Sequence, residues 1–198
     1  MISKKKLTII PFLIIFFLNI GSSYSIEPDV FVQSTVNRAA KTLGGNFTKE
    51  ERIEKLKIIA SEIVDINGIG YYTLGSYRKT INDEQITEYE NLFEQYFLKS
   101  FASRLAEYSN PEIEVISKKK LNDNYTMVSS KLVPTEQRPE VKINWRIYTK
   151  NSENPLIRDL IIEGLSLART QKEEFSSIIQ SNDGDINALF TTLEEFIK

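Results

Sequence analysis

Residues 156–175 read LIRDLIIEGLSLARTQKEEF, and within them an alternating apolar pattern gives way to helical spacing across Gly164. Alternation places Leu160 and Ile162 on one face of a strand and Asp159, Ile161 and Glu163 on the other. Gly164 supplies the backbone freedom that a sharp strand-to-helix corner needs. Ser166 stands where it can cap the helix that follows, which runs to about residue 180.

Upstream of this stretch the apolar period is also two. Strands are expected at Ile113 and Val115, over residues 125–132, and over residues 141–148. The last alternates cleanly, with Val141, Ile143, Trp145 and Ile147 on one side and Lys142, Asn144, Arg146 and Tyr148 on the wetter other. Before the strands the period is helical. Pro28 and Asp29 open a first helix that closes at Gly44-Gly45, and Thr48 with Glu51 forms a capping box for a second. Asp65 caps a short third helix, interrupted by Gly68 and Gly70 and closed at Gly75. Asn82 or Asp83 starts the longest helix, whose apolar positions Ile86, Tyr89, Phe93, Tyr96, Phe97, Phe101, Leu105 and Tyr108 give one strongly aromatic face before Asn110-Pro111 stops it. A final helix, capped by Asp183, carries Ile186, Leu189, Phe190, Leu193 and Phe196. Helices, then strands, then helices imply an α+β domain: an antiparallel sheet of about four strands with helices packed over one face.

Residues 1–25 read as a signal peptide. Lys4, Lys5 and Lys6 precede an apolar run over residues 7–20, and Ser23 and Ser25 fit a small-residue cleavage site. That run, which contains Pro11 and Asn19, is shorter than the roughly 20 residues a spanning helix needs. Residues 26–198 remain as one domain. Taking the three leader lysines from 25 basic residues leaves 22 against 27 acidic ones, a formal charge of −5. That sign disfavours nucleic acid as a partner, and a permanent seat on an anionic membrane is not favoured either. With no Cys, no disulfide supports the fold; with no His, Ser-His-Asp and Cys-His sites and the commonest zinc sets are excluded.

Three segments resemble the MlaC family, also called the toluene-tolerance family, of periplasmic phospholipid carriers. The corner segment is similar to the family's DVxVEGVSLxxNYRxxF; residues 65–79, DINGIGYYTLGSYRK, resemble DFxxMARLxLGRYWR; residues 98–108, LKSFASRLAEY, resemble LxxTYAxxLxxY. The likeness runs in collinear order over nearly all of residues 28–198. It departs at Ile66, where the family has Phe, at Arg78, where it has Trp, and at Gln171, where it has Tyr. The resemblance implies a soluble periplasmic carrier shuttling phospholipid between the inner and outer membranes, without cofactor, metal or catalytic residue. Its implied partners are a phospholipid ligand, an inner-membrane ABC transporter carrying an MCE-domain protein, and an outer-membrane lipoprotein associated with a porin, each docked transiently.

Acyl chains would then lie between sheet and helices. The candidate lining is Leu74, Tyr77, Phe93, Tyr96, Phe97, Phe101 and Leu105 from the helices, with Val128, Ile143, Trp145, Ile147, Leu160, Ile162 and Leu165 from the strands and their corner. Spacing alone describes an ordinary filled core equally well. Asp159 and Glu163, four apart on one strand, would stand about 13 Å apart, beyond the roughly 6.5–9.5 Å of an inverting glycosidase pair, so capping or surface roles fit them better than proton transfer. Lys118-Lys119-Lys120 reads as a solvated hairpin edge, with contact to anionic lipid heads or a partner as the alternative, and Asn46 and Asn124 match Asn-x-Ser/Thr, a pattern frequent by chance. From the residues alone, a small α+β enzyme using a buried Asp or Tyr, or a ligand-free interaction protein, remains open.

Overall fold

A computed structural model describes residues 25–108, 111–136 and 138–198. The expected signal peptide lies outside these residues but for Ser25. Four helices come first: α1 (Pro28–Leu43), α2 (Lys49–Ile63), α3 (Ile66–Thr73) and, after a 3-10 turn at Tyr77–Lys79, α4 (Asp83–Leu105). Strands β1 (Ile113–Asn122), β2 (Tyr125–Leu132), β3 (Val141–Tyr148), β4 (Leu156–Ile162) and β5 (Leu165–Ser166) follow, then α5 (Leu167–Gln180) and α6 (Ile186–Ile197).

Local chemistry sets the helix starts. Thr48 and Glu51 form the reciprocal capping box of α2, and Asn82 with Gln85 does the same for α4. The Asp65 side chain accepts from the Gly68 amide at α3. The expected cap of the last helix moves: Asp185, not Asp183, accepts from the Asn187 amide. Asp183 and Gly184 both have positive φ, 55° and 84°, and the Gly184 amide bonds back to the Ile179 carbonyl, so these two residues close α5 instead.

The sheet is a five-stranded antiparallel meander in the order β1-β2-β3-β4-β5, one strand more than expected. The extra strand comes from the corner itself. Glu163 (φ 49°) and Gly164 (φ 86°) are both left-handed and Ile162 pairs with Leu165, the geometry of a two-residue primed hairpin turn. The chain therefore reverses before it enters α5, rather than turning straight from strand to helix. A second departure sits in β4, where a bulge leaves Arg158 without a register partner between Arg146↔Asp159 and Ile147↔Ile157. Ile157 thus joins Leu160 and Ile162 on one face, opposite Ile147, Trp145 and Ile143.

That face carries the core. Val128 and Trp145 are register partners beneath the helices, and the indole N–H of Trp145 donates to the Ser130 hydroxyl (2.8 Å), which donates in turn to the Ile143 carbonyl. Helix α1 lies against β1 and β2, while α3 and α5 lie against β4. At the free edge, β1 presents Lys118, Lys119 and Lys120, which discourage pairing with another chain. Lys118 also bridges to Glu27 and Asp29 at the start of α1.

Tyr89 is wholly buried at the centre of the aromatic cluster of Phe93, Phe175 and Phe190, with its hydroxyl 2.7 Å from that of Thr73. Burial, more than any other influence, raises the Tyr89 phenol above its ordinary value. An unfolded phenol ionises near pH 10, so the folded chain keeps a proton that the unfolded chain loses. Stability should be intact below that pH and fall as pH rises, by about 1.4 kcal/mol per pH unit for one proton. Urea unfolding between about pH 9.5 and 11 tests this: Tyr89→Phe should show a shallower loss than wild type, and identical slopes would contradict the assignment.

Candidate functional site

Along α4, the rings of Tyr89, Phe93, Phe97 and Phe101 follow one another at intervals of four residues. Consecutive centroids lie 5.6, 6.0 and 5.5 Å apart, the last pair stacked within 10°. Four residues exceed one helical turn by about 40°, so the stripe winds round the helix. Its first two members are packed into the core, at 0% and 2% exposure, and its last two are half-buried. The change marks a cavity of about 250 Å³ between α3, α4, α5 and β4. Phe93, Tyr96, Phe97 and Phe101 line it from α4, Ile157 and Leu160 from β4, Val64 from the end of α2 and Ile69 from α3.

The opposite wall comes from the beginning of α5, through Leu167, Ala168, Thr170, Gln171 and Glu174. The Tyr96 hydroxyl donates to Gln171 Oε1 (3.0 Å), and the Gln171 amide donates to Glu174. Burial first, then the Glu174 charge, raises the Tyr96 phenol, which stays a neutral donor here. With Ser100 and Arg104 these groups place polar atoms beside an otherwise apolar, aromatic lining. A concave apolar surface with a few polar groups is the general form of a small-molecule site.

Asp159 forms part of the cavity wall and is 4% exposed. One carboxylate oxygen accepts from the Ala168 amide (3.0 Å) and the other from the Ser166 hydroxyl (2.7 Å), while Ser166 itself caps Arg169. It is therefore a structural anchor for the start of α5 rather than a free base. Glu163, for which a surface or capping role was expected, accepts from the Lys142 amide at the hairpin turn.

The residues expected to hold a ligand separate into groups. Phe93, Tyr96, Phe97, Phe101 and Leu160 lie together on the cavity. Leu74, Val128, Trp145 and Ile147 are buried in the filled core, against which Tyr77 and Ile143 pack. Leu105 belongs to a separate cluster with Leu43, Leu56, Ala102 and Ala106. Ile162 is part-buried near the end of β4, and Leu165, at 59% exposure, projects from the hairpin. The α5 wall was missed because its stripe, at positions 167, 170, 171 and 174, is largely polar. A helical stripe of Thr, Gln and Glu beside a buried Phe175 was its one trace in the sequence.

Sheet, helical cover and edge cavity define an α+β domain built round an apolar site. The family model described as MlaC protein matches residues 32–195, and the chain belongs to that family. It is 23% identical, over 97% of its length and 92% of the relative's, to the intermembrane phospholipid transport system binding protein MlaC of Haemophilus influenzae. A phospholipid-binding protein of Ralstonia solanacearum, solved in complex with a phospholipid, shares the fold with a TM-score of 0.73 at 18% identity, covering 87% of this chain and 97% of that one.

Because Asp159 both caps α5 and fixes β5, Asp159→Ala should lower the unfolding free energy by about 2–3 kcal/mol, the sum of a lost cap and a stranded buried donor. A shift in urea midpoint worth less than about 0.5 kcal/mol, the usual size of a surface substitution, would show that the anchor is not needed.

Proposed function

We propose that this protein is a soluble periplasmic carrier that shuttles a phospholipid between the inner and outer membranes, its acyl chains held in the α4–α5–β4 cavity. The observation that carries this reading is the aromatic cavity itself, in a chain of the MlaC family whose relative is named for intermembrane phospholipid transport and whose structural neighbour was solved with a phospholipid. The charged and apolar pattern of residues 1–25 supports export by a signal peptide, leaving 26–198 as the lipid-binding domain. Among the described residues, no helix is long and apolar enough to cross a membrane.

The energetics explain why such a carrier docks at both ends of its route. Bringing two chains of about 16 carbons into water costs roughly 25 kcal/mol at about 0.8 kcal/mol per CH₂, beyond the roughly 21 kcal/mol ceiling of noncovalent affinity. An apolar cavity replaces the bilayer interior, so lipid passes between bound and membrane states with a small net change. Directional energy would come from an inner-membrane ABC transporter with its MCE-domain protein. A lipoprotein-porin complex would serve as the outer-membrane partner. Chemistry is not required of the carrier.

At about 250 Å³ the cavity is below the roughly 300–1,000 Å³ of ordinary ligand pockets. It therefore takes part of one chain as it stands, and loading a whole lipid requires α5 to part from α4. The Tyr96–Gln171 hydrogen bond and the Tyr96–Phe175 ring contact, with centroids 5.8 Å apart, are the contacts that must yield.

Native mass spectrometry of protein purified from the periplasm should show a bound mass of phospholipid size. Phe97→Arg, which places a charge among the rings at a half-buried position, should fold and lose that mass. An enzyme or a ligand-free interaction protein predicts no bound lipid in wild type, and a folded variant that keeps its lipid would remove Phe97 from the lining.

A further inference from the structure

A second pocket, of about 410 Å³, lies beyond the same wall: Ile69, Asp159 and Ala168 line both it and the apolar cavity. Its other walls are Gly68 and Tyr72 from α3, Leu121, Asn122 and Tyr125 from the β1–β2 hairpin, and the guanidinium-bearing Arg146 and Arg158. Where the first cavity is aromatic, this one is cationic.

The two arginines are not equivalent. Arg158, freed from the strand register by the bulge, is committed to the protein. It donates to the Asp65 carboxylate and, through Nη1, to the Tyr125 hydroxyl (2.6 Å), with its guanidinium carbon 3.9 Å from the centroid of the Tyr148 ring. Arg146 has no hydrogen-bond or ion-pair partner among the described residues, and its Nε is buried from solvent with its donor unmet. The one carboxylate lining the pocket, Asp159, is its register partner, yet its oxygens accept from the Ser166 hydroxyl and the Ala168 amide at the start of α5, and no hydrogen bond or ion pair joins it to Arg146. The positive end of that helix further offsets the Asp159 charge. A buried guanidinium N–H left unpaired costs free energy, since its hydration is lost and nothing replaces it. Arg52 and Arg138 also have an unpaired buried Nε, but among the arginines lining this pocket Arg146 is the one open to an acceptor from outside the chain, and its planar fork suits two oxygens of one anionic group.

We propose that this pocket binds a phosphate group through Arg146, with Arg158 held alongside by Asp65 and Tyr125 as a second, fixed positive charge. The phosphate belongs either to the headgroup of a lipid whose chains enter the adjoining cavity, which rests on the carrier reading above, or to free phosphate in solution, which does not. Position supports the first source, because the two pockets share the wall of Ile69, Asp159 and Ala168, so a lipid lying over that wall would place its tails among the rings of α4 and its headgroup beside Arg146.

The test has three arms on delipidated full-length mature protein. Inorganic phosphate is titrated by calorimetry against wild type and Arg146→Gln. Both proteins are then loaded from vesicles of phosphatidylglycerol and, separately, from vesicles doped with diacylglycerol, which has the same chains and no phosphate. Finally, the phosphorus resonance of lipid bound to wild type is compared with that of the same lipid in detergent, which needs no variant. If the headgroup is the source, wild type takes up phosphatidylglycerol in preference to diacylglycerol, Arg146→Gln loses about tenfold or more of that preference while still loading diacylglycerol, and the bound phosphorus signal shifts. If free phosphate is the source, the titration shows binding that Arg146→Gln abolishes, with lipid preference unchanged. Wild type that loads both lipids equally, leaves the phosphorus signal unmoved and does not bind phosphate overturns the proposal while the carrier stands. Wild type that loads neither lipid yet binds phosphate through Arg146 overturns the carrier and keeps the site.

Discussion

Asp159 is, among the described residues, the one charged side chain buried in the interior. A lone carboxylate there would be costly, and it persists because two donors converge on it from the next turn of chain, the Ser166 hydroxyl and the Ala168 amide. Those bonds hold the start of α5 against β4. Everything that distinguishes the site follows from that attachment. With α5 pinned at its first turn, its polar stripe faces the rings of α4 across a gap that neither helix fills, and the far side of the same wall becomes the floor of the arginine pocket.

The bulge in β4 works with this anchor. By taking Arg158 out of register, it lets Ile157 and Leu160 both face the helices and brings Arg146 opposite Asp159. A regular strand would carry Ile157 to the solvent side when Leu160 points inward, since side chains alternate strictly along an unbroken strand. One residue of irregularity therefore supplies apolar wall to the cavity on one side and leaves two arginines on the other. The β2–β3 pairing has no such shift, and the inner residues of these two strands meet α1 and the other helices in a close-packed core.

Much of this was legible before any coordinates. The capping box at Thr48 and Glu51, the Asp65 cap and the aromatic period of α4 are short-range signals, and each emerged where its chemistry placed it. The family resemblance lay in the same segments that now surround the cavity. Less legible were tight turns in which neighbouring residues compete for one role. Asp185 displaced Asp183 as a cap because Asp183 and Gly184 were already closing α5, and the hairpin at Glu163–Gly164 added a two-residue strand that alternation cannot resolve at such length.

By itself, the sequence determined the class of the fold, the order of its elements, the apolar stripe of α4 and the absence of any histidine or cysteine chemistry, because periodicity and caps act over a few residues and composition acts over the whole chain. Only the tertiary structure decided which apolar side chains are core and which border empty space. Trp145 and Phe97 look alike in a pattern of apolar positions, but one packs beneath helices with its N–H bonded to Ser130 and the other faces a gap. Filling is a property of three elements brought together, not of any one stripe, and it is set here by where a buried carboxylate fastens the first turn of a helix.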